Sequence, residues 1–415
     1  ISTSNLLEQG FCWSTSPNPT VLDNRTTKYQ NQNGRIYIME NLEPSTIYYV
    51  RAYALTRTYA VGYGEAIKVI TLPAGKVTWS YDNGADDAAN ARINAAVENA
   101  VYYMNTWTSI NGLHTSVHYG SGTPTADCSY GGWMRVGPNA SYQQTGTILH
   151  ELGHAIGVGT HDMWYGSSSP LRSGSGTGNW IGDRATAAVR FLENSTTSLM
   201  NGDGTHMWPY GVNGAHEDTG SPMLYMSNTI IYQALGEDGL PPTGGFCTPA
   251  YVFEQEDTIK YYIKSEHENY GLYNSYLVMN EKGHLVWQSL SASDVLSNDS
   301  AAWYITFNPK NCYYQLRNVA TGRYMSYATT GTNGIRTVEK AEAGTNENFH
   351  LMRSRIDVTV GSDDNEMNLR GYWIIHPEQK TKPTTLIASS NGTVSTASFN
   401  INNNASFCCS CLQSF

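Results

Sequence analysis

Two histidines one helical turn apart, with a glutamate beside the first, form the most chemically informative pattern in this sequence. They lie in the pentapeptide His150-Glu151-Leu-Gly-His154. Side chains at positions i and i+4 of a helix stack on one face, so both imidazoles could reach one Zn²⁺ at ~2.0–2.1 Å. Glu151 would stand beside the metal without binding it, where a carboxylate can act as a base toward water. The spacing therefore predicts a zinc site.

A helix has to carry these side chains, and the flanking residues predict one over residues 145–156. Five apolar residues fall on the face opposite the histidines, and burial of that face would direct both imidazoles to the other side. They are Ile148, Leu149, Leu152, Ala155 and Ile156. Upstream, residues 77–81 alternate like a strand, and residues 86–108 carry apolar side chains at helical spacing.

The segment from His150 to Gly157 resembles the metzincin metallopeptidase motif H-E-x-x-H-x-x-G-x-x-H. Gly157 fits because a glycine just past a helix can adopt the left-handed conformation that turns the chain back. The resemblance covers residues 75–242, where a strand, a helix, short strands and the motif helix follow in zincin order. It implies an α+β catalytic domain that hydrolyses peptide bonds with zinc, bound by His150 and His154, with Glu151 as general base.

The third metal ligand is left open by a departure from this motif. Three residues after Gly157, where a metzincin has its third histidine, the sequence has Thr160, and His161 comes one place later. A one-residue bulge, helped by the flexibility of Gly159, would allow His161 to ligate.

Two residues farther along the chain are alternatives to His161. A long insertion, as in the leishmanolysin branch of the metzincins, would bring His206 to the metal from the aromatic, proline-containing segment 203–210. Glu193, in a helix-like segment over residues 183–194, would be the third ligand, as in a glutamate zincin. Gly157 and Gly159 argue against this choice, because those enzymes do not need a glycine turn after the helix.

The resemblance also implies a methionine turn beneath the metal. Ser221-Pro-Met223-Leu-Tyr225 is similar to the S-x-M-x-Y turn of astacins and serralysins. On this interpretation Met223 forms the base of the site and Tyr225 helps to stabilise the developing oxyanion. The alternative is that Met223 and Tyr225 are core residues of a helix that runs to Leu235.

The first 73 residues alternate with the period of strands and predict a β-sandwich. Residues 42–52 resemble the L-x-P-x-T-x-Y-x-V-x-A signature of fibronectin type III modules, which implies that Tyr48 makes a tyrosine corner. Because such modules have ~100 residues, we expect this one to be truncated at its N-terminus. Pro73-Ala-Gly75 marks the boundary with the next domain.

Residues 245–415 contain three β-rich units, and three similar units that cannot each bury an apolar face predict an all-β trefoil. The units open at Tyr261, Tyr313 and Tyr372, and the aromatic residues Trp303, Phe349 and Phe407 close them. Residues 313–324 and 386–390 resemble ricin-type lectin repeats, which implies carbohydrate binding. No unit has an intact Q-x-W closing strand, and the chain after Phe407 reads Cys-Cys-Ser-Cys.

Composition excludes several classes of partner. The chain has 25 Lys and Arg against 35 Asp and Glu, a formal net charge of −10, so no excess of basic residues is available for a nucleic-acid backbone. No apolar run approaches the ~18 residues of a membrane-spanning helix. Since the sequence begins at Ile1, a signal peptide would lie upstream, and we expect a secreted or cell-surface protein.

Two functions from different classes fit these patterns. The first is a secreted zinc endopeptidase with Zn²⁺ as its cofactor, whose protein or glycoprotein substrates are brought close by the lectin-like module. The alternative is a non-catalytic carbohydrate-binding adhesion protein with a degenerate zincin domain. In both cases the chain is multidomain, with a β-sandwich, an α+β domain and a β-trefoil in that order.

Overall fold

The structure is a computed structural model of the 415-residue chain. It describes residues 5–26, 36–167, 169, 171–240, 259–265, 275–308, 310–311, 313–328, 334–340, 343–354, 372–377, 384–388, 392–398 and 410–414. Two compact units are formed, one of residues 1–74 with 309–311, and one of residues 75–308 with 312–415.

The first unit is a single antiparallel sheet in its described residues. Its strands are β1 (Leu6–Ser14), β2 (Asn24–Arg25), β3 (Ile47–Thr56), β4 (Val61–Tyr63) and β5 (Ile67–Ile70). The central strand β3 pairs with β1 along one edge and with β4 and β5 along the other. Residues 36–39 of the expected strand at 35–39 are described and are not in a strand, and residues 27–35 lie outside the described residues. The predicted β-sandwich therefore stays a prediction.

Tyr48 lies in the core of this sheet with Trp13 and Val50. Its hydroxyl accepts a hydrogen bond from the backbone N–H of Glu43 at 2.9 Å. This is the contact by which a tyrosine corner fixes the loop before its strand.

The second unit begins with a four-stranded sheet and the helices that cover it. The elements are β6 (Lys76–Tyr81), α1 (Asp87–Trp107), β7 (Asn111–Tyr119), β8 (Ala126–Cys128), β9 (Trp133–Val136) and α2 (Thr145–Ala155). The strand order is β6-β7-β9-β8, in which β8 alone is antiparallel to its neighbour and forms an edge. The strand at 77–81 and both helices lie where the sequence predicted them.

Helix α1 forms because a capping residue stabilises its first turn and its apolar side chains fall on one buried face. Asp86 caps its first turn by accepting a hydrogen bond from the N–H of Ala89 at 2.8 Å. Apolar side chains three or four positions apart, such as Ile93, Val97 and Met104, are buried. Helix α1 thereby supports α2 from one side.

A long segment separates α2 from the last helix of this region. It contains α3 (Asp162–Tyr165), β10 (Gly178–Asn179), α4 (Asp183–Glu193), β11 (Asn201–Gly202) and β12 (Met207–Trp208), followed by α5 (Pro222–Asp238). Its core is the stacked pair Trp164 and Trp180, whose ring centroids lie 5.6 Å apart. The three short strands form a small antiparallel sheet.

Helix α5 packs directly against the backbone of α2. The hydroxyl of Tyr232 donates a hydrogen bond to the carbonyl of Leu149 at 2.9 Å. A Cβ atom at Gly153 would overlap that hydroxyl and lie 2.8 Å from the Cζ atom of Tyr232. Helix α2 can therefore approach α5 this closely only because position 153 has no side chain.

The remaining described residues form twelve strands. They are β13 (Tyr261–Ser265), β14 (Ser275–Met279), β15 (Leu285–Ser289), β16 (Ala302–Asn308), β17 (Tyr313–Asn318), β18 (Tyr324–Tyr327), β19 (Ile335–Val338), β20 (Phe349–Ser354), β21 (Tyr372–Pro377), β22 (Thr384–Ala388), β23 (Val394–Ser398) and β24 (Ser410–Ser414). A short helix, α6 (Ala292–Leu296), precedes β16.

Six of these strands close a barrel. Each pairs with the next in the order β13, β16, β17, β20, β21, β24, and β24 pairs again with β13. The other six form the hairpins β14–β15, β18–β19 and β22–β23. This is a β-trefoil of three four-stranded repeats, as the sequence predicted.

The predicted openings of the repeats are the first residues of β13, β17 and β21. Trp303 and Phe349 lie in the closing strands β16 and β20, whereas Phe407 is outside the described residues. The sequence after Phe407 gave no indication of a strand, but its backbone supplies β24 and completes the barrel. The predicted boundary at 242–245 falls inside the second unit, beside residues 241–258, which are not described.

None of the helices in the described part of the chain has both the length and the apolar composition needed to cross a membrane.

Replacing Gly153 with alanine tests the packing of α2 on α5. We expect Gly153→Ala to lower the free energy of unfolding by about 1–3 kcal/mol, the usual effect of overpacking a tight contact, as measured by urea denaturation. The matched control is Gly122→Ala, because no atom lies within 4 Å of the Cβ that it adds. Equal stability of the two variants would show that Tyr232 does not hold α2 at this distance.

Candidate metal centre

Helix α2 is buried on almost every side, which places the three predicted side chains in an enclosed site. Glu151 and His154 are 4% and 7% exposed, while His150 is partly buried. The five apolar residues are buried as predicted, and the histidines project from the other face into a cavity, but that face is covered as well. The edge strand β8 and the segments 205–206 and 212–214 enclose the other face, and together they line a cavity of about 390 Å³.

A third imidazole, that of His206, faces the two on α2. The ring centroids of His150 and His154 lie 4.8 Å apart, and that of His206 lies 5.5 Å from the first and 6.3 Å from the second. Three imidazoles bound tetrahedrally to zinc through Zn–N distances of ~2.0–2.1 Å hold their centroids ~5 Å apart. The three rings thus surround a space of about the right size for the ion.

Each of these rings is oriented through its Nδ1 atom. The Nδ1 of His150 lies 2.8 Å from the carbonyl oxygen of Gly211, and that of His154 lies 2.7 Å from the carbonyl oxygen of Val158. The Nδ1 of His206 lies 3.4 Å from Oδ2 of Asp203. Because a carbonyl or carboxylate oxygen accepts from a protonated Nδ1, each unprotonated Nε2 remains available as a ligand.

Glu151 supplies the clearest sign that the cavity suits a cation. Its buried Oε2 atom has no hydrogen-bond partner, and burial, with the nearby Asp127 carboxylate, raises the pKa of Glu151 to about 8. Burial and the neighbouring His154 lower the pKa of His150 to about 4, and burial also lowers the pKa of His154. Neutral imidazoles are the form that binds a metal ion, and the unpartnered Oε2 leaves the Glu151 carboxyl group free to face a water molecule beside them.

The residues therefore fit zinc, with one adjustment. No three His, Cys, Asp or Glu side chains among the described residues already stand in metal-ligating geometry. His206 is the more distant ring, and moving it inward by about 1 Å would bring its centroid separations to those of a tetrahedral site. Its side chain is 37% exposed, so it has room for this movement.

Gly159 is what allows His206 to reach α2. It has a φ of 71°, and a Cβ atom there would overlap the carbonyl of Thr205, the residue before His206. The main chains of the two segments are thus in direct contact. Gly159 was predicted to support a bulge toward His161, but in the structure it accommodates the segment that carries His206.

His161 is engaged away from the two helical histidines. Its Nδ1 accepts a hydrogen bond from the backbone N–H of Met163 at 3.1 Å and so caps α3. Its ring packs on that of Tyr130 with centroids 5.1 Å apart. The structure therefore does not bring His161 to the site.

Tyr225 and Met223 lie at the start of α5 and do not line the cavity. The hydroxyl of Tyr225 donates to Oδ1 of Asp218 at 2.7 Å, and Oδ2 of Asp218 accepts from the N–H of Gly146 in the first turn of α2. The predicted methionine turn is wrong because residues 222–238 are helical. Tyr225 anchors the beginning of α2, so it is not placed to stabilise an oxyanion.

Glu193 lies at the C-terminal end of α4 and is exposed. Its carboxylate accepts a hydrogen bond from the hydroxyl of Tyr210. Glu193 does not line the cavity, so the structure does not bring it to the helical histidines.

The sequence interpretation missed the role of Asp203. Its Oδ1 accepts hydrogen bonds from the backbone N–H groups of Thr205 and His206 at 2.7 and 2.6 Å. Burial alone would raise the pKa of Asp203, but these two bonds and the His206 ring together outweigh it and hold that pKa below its usual value. An aspartate side chain commonly accepts hydrogen bonds from backbone N–H groups two residues on in a turn, so the Asp203-Gly204 pair was the available signal.

The edge strand β8 forms one wall of the cavity. Thr125, Ala126, Asp127 and Cys128 all line it, and in the described residues β8 pairs only with β9. Its other edge therefore has backbone groups available to a ligand. The Asp127 carboxylate is held by Arg135 through two hydrogen bonds, at 2.9 and 2.5 Å.

Comparisons with known proteins concern only part of the chain. No protein-family model matches it, and no curated protein does. Three solved structures to which it is similar are an endo-β-galactosidase from Clostridium perfringens that releases GlcNAcα1-4Gal, a BEL β-trefoil in an apo crystal form, and the Polyporus squamosus lectin bound to an influenza-binding epitope.

These similarities are weak. For the galactosidase the identity is 12%, with 38% of this chain and 33% of the other covered at a TM-score of 0.27. For the BEL trefoil the identity is 6%, with 40% of this chain and 98% of the other covered at a TM-score of 0.29. For the lectin the identity is 19%, with 40% of this chain and 50% of the other covered at a TM-score of 0.27. The chain thus spans only a third of the length of the galactosidase. At such TM-scores the assignment of the trefoil rests on its strand pairing.

The ligand set can be tested by replacing two histidines separately. We expect His206→Ala to weaken zinc binding by more than the ~10–100-fold that loss of an outer-shell partner causes, measured by competition with a chromophoric chelator. His161→Ala is the matched control and should bind zinc like the unsubstituted protein. The opposite result, with loss only in His161→Ala, would exclude His206 as the third ligand.

Proposed function

We propose that residues 75–242 form a zinc-dependent endopeptidase that acts outside the cell. The observation that carries this proposal is the set of three imidazoles, each oriented through Nδ1, around the buried and unpartnered Oε2 of Glu151. His150, His154 and His206 would hold the metal. When bound, zinc supplies Lewis-acid chemistry, since it makes water more acidic and polarises a carbonyl group.

Glu151 is proposed to handle the protons of the reaction. Because it is next to His150 on α2, its carboxylate would stand beside the metal rather than among the ligands. It would take a proton from the attacking water and later donate a proton to the nitrogen of the departing amine. The nearby Asp127 is already paired with Arg135, which leaves Glu151 as the carboxyl group suited to this exchange.

The edge of β8 supports a peptide as the substrate. An extended peptide can add to a sheet edge through main-chain hydrogen bonds, independently of its side chains. The three residues of β8 line the cavity, so such a peptide would run past the imidazoles. This arrangement suits cleavage inside a chain because the added strand can continue in both directions.

The role of Glu151 is tested by removing its ability to exchange a proton while keeping its shape. We expect Glu151→Gln to retain one zinc per chain and to slow casein hydrolysis by about 10²–10⁴-fold, the usual contribution of a general base. Zinc content by elemental analysis and release of labelled peptides are the measurements. Glu193→Gln, the same substitution on the exposed end of α4, should leave both unchanged.

Two results would count against the endopeptidase. One is zinc-loaded wild-type protein that hydrolyses neither casein nor mucin, which would indicate a binding or structural zinc. The other is unchanged hydrolysis by Glu151→Gln, which would remove Glu151 from the reaction.

The β-trefoil supports carbohydrate binding as a second candidate function, also compatible with a non-catalytic adhesion protein. The closed barrel with three hairpins agrees with the lectin-like repeats seen in the sequence. Trefoils have diverse functions, so sugar binding rests on this combination. A lectin module joined to a peptidase would raise its local concentration on glycoprotein substrates.

A glycan array probed with the full chain tests this second function. The Glu151→Gln variant should be used so that the protein does not digest itself during the assay. We expect retention on a subset of glycans and its loss when the corresponding free sugar is added. Absence of binding to every glycan, with folding verified by circular dichroism, would contradict carbohydrate binding.

A further inference from the structure

Arg172 is a charged side chain in an unexpected place. It is 5% exposed, and no described carboxylate forms an ion pair with it. Its Nε atom is buried without a hydrogen-bond partner. An unpaired buried charge is costly, and an apolar residue of similar volume often serves packing better. Packing alone therefore does not account for a guanidinium at this position.

The guanidinium donates to four backbone carbonyl oxygens. Its Nη1 lies 3.1 Å from the carbonyl oxygen of Trp164, and its Nη2 lies 3.1 Å from that of Gly178 and 3.3 Å from that of Asp203. Its Nη2 also donates to the carbonyl of Gly202. Two of these acceptors immediately precede the turn that carries His206.

Asp203 connects these bonds to the candidate ligand. Its carbonyl oxygen accepts a second hydrogen bond, from Nε1 of Trp164 at 3.1 Å. Its carboxylate binds the N–H groups of Thr205 and His206 and faces the Nδ1 of the His206 ring. Arg172 and Trp164 thus fix the main chain of Asp203, whose side chain fixes His206.

We propose that Arg172 is a positioning residue for the third metal ligand, His206. The inference rests on the proposed zinc site and assigns Arg172 no contact with the metal or the substrate. By holding the carbonyls of Gly202 and Asp203, it fixes where the turn to His206 begins. The ring then needs only a small movement to join His150 and His154.

An arginine suits this position better than a lysine. The planar guanidinium presents donors in several fixed directions, so it can hold carbonyls from different segments at once. It also lies over the ring of Trp164, with Cζ 4.3 Å from the ring centroid, which compensates part of its lost hydration. An ammonium group has neither the fork nor the flat face.

The test compares zinc affinity in full-length variants. We expect Arg172→Met and Arg172→Lys to raise the zinc dissociation constant by about 10–100-fold, the usual effect of losing outer-shell support. Cobalt-substituted protein should show a weaker tetrahedral absorption band. The matched control is Arg190→Met, which removes a single bond to the Ser198 carbonyl in the same segment and should retain wild-type affinity.

Thermal unfolding of the metal-free proteins separates positioning from general destabilisation. Should Arg172→Met fail to fold, Arg172→Lys retains the charge and most of the volume and is compared alone. Wild-type zinc affinity and an unchanged cobalt spectrum in a folded Arg172 variant would overturn the inference while leaving the endopeptidase intact. Absence of zinc binding by the wild-type protein would instead remove the proposed function, and this inference with it.

Discussion

The close approach of two main chains at Gly159 and Thr205 is the constraint on which the candidate site depends. Helix α2 supplies two imidazoles, but the third comes from a segment almost fifty residues farther along the chain. That segment can reach the helix only where no side chain intervenes, and Gly159 provides the gap in a conformation with positive φ. The stacked tryptophans and the buried Arg172 then hold the approaching segment in place.

Helix α5 holds the other side of the site, where it contacts both α2 and the segment that orients the His150 ring. Tyr232 bonds to the Leu149 carbonyl within α2, and Asn228 donates to the carbonyl of Tyr210 at 2.8 Å. The next residue, Gly211, accepts from the His150 ring. Helix α5 therefore fixes the backbone of α2 beside His150 and also the segment that orients the His150 ring. Preorganisation of this kind is what keeps a metal ligand set within reach of productive geometry.

The sequence predicted correctly those features that depend only on residues close together in the chain. The i, i+4 spacing in α2, the apolar face of α1 and the repeated openings of the trefoil strands all depend on neighbouring residues, and the structure contains each of these elements. The choice between His161 and His206 was not decidable in this way, because it depends on a contact between distant backbones. The predicted oxyanion role of Tyr225 is wrong for a similar reason, because a match to a short motif cannot show that a helix begins at Pro222. Strand β24 escaped notice since its residues have no apolar alternation, and its pairing with β13 and β21 comes from the barrel as a whole.

Strand β24 determines when the barrel of the trefoil can close. Strand β24 joins β13 across about 150 positions of sequence, a separation that makes the closing event slow compared with the formation of local hairpins. Until β24 has left the ribosome, the edges of β13 and β21 with which it pairs stay unpaired, and such edges are open to pairing with other chains. The barrel is therefore open along one side until β24 pairs with both neighbours.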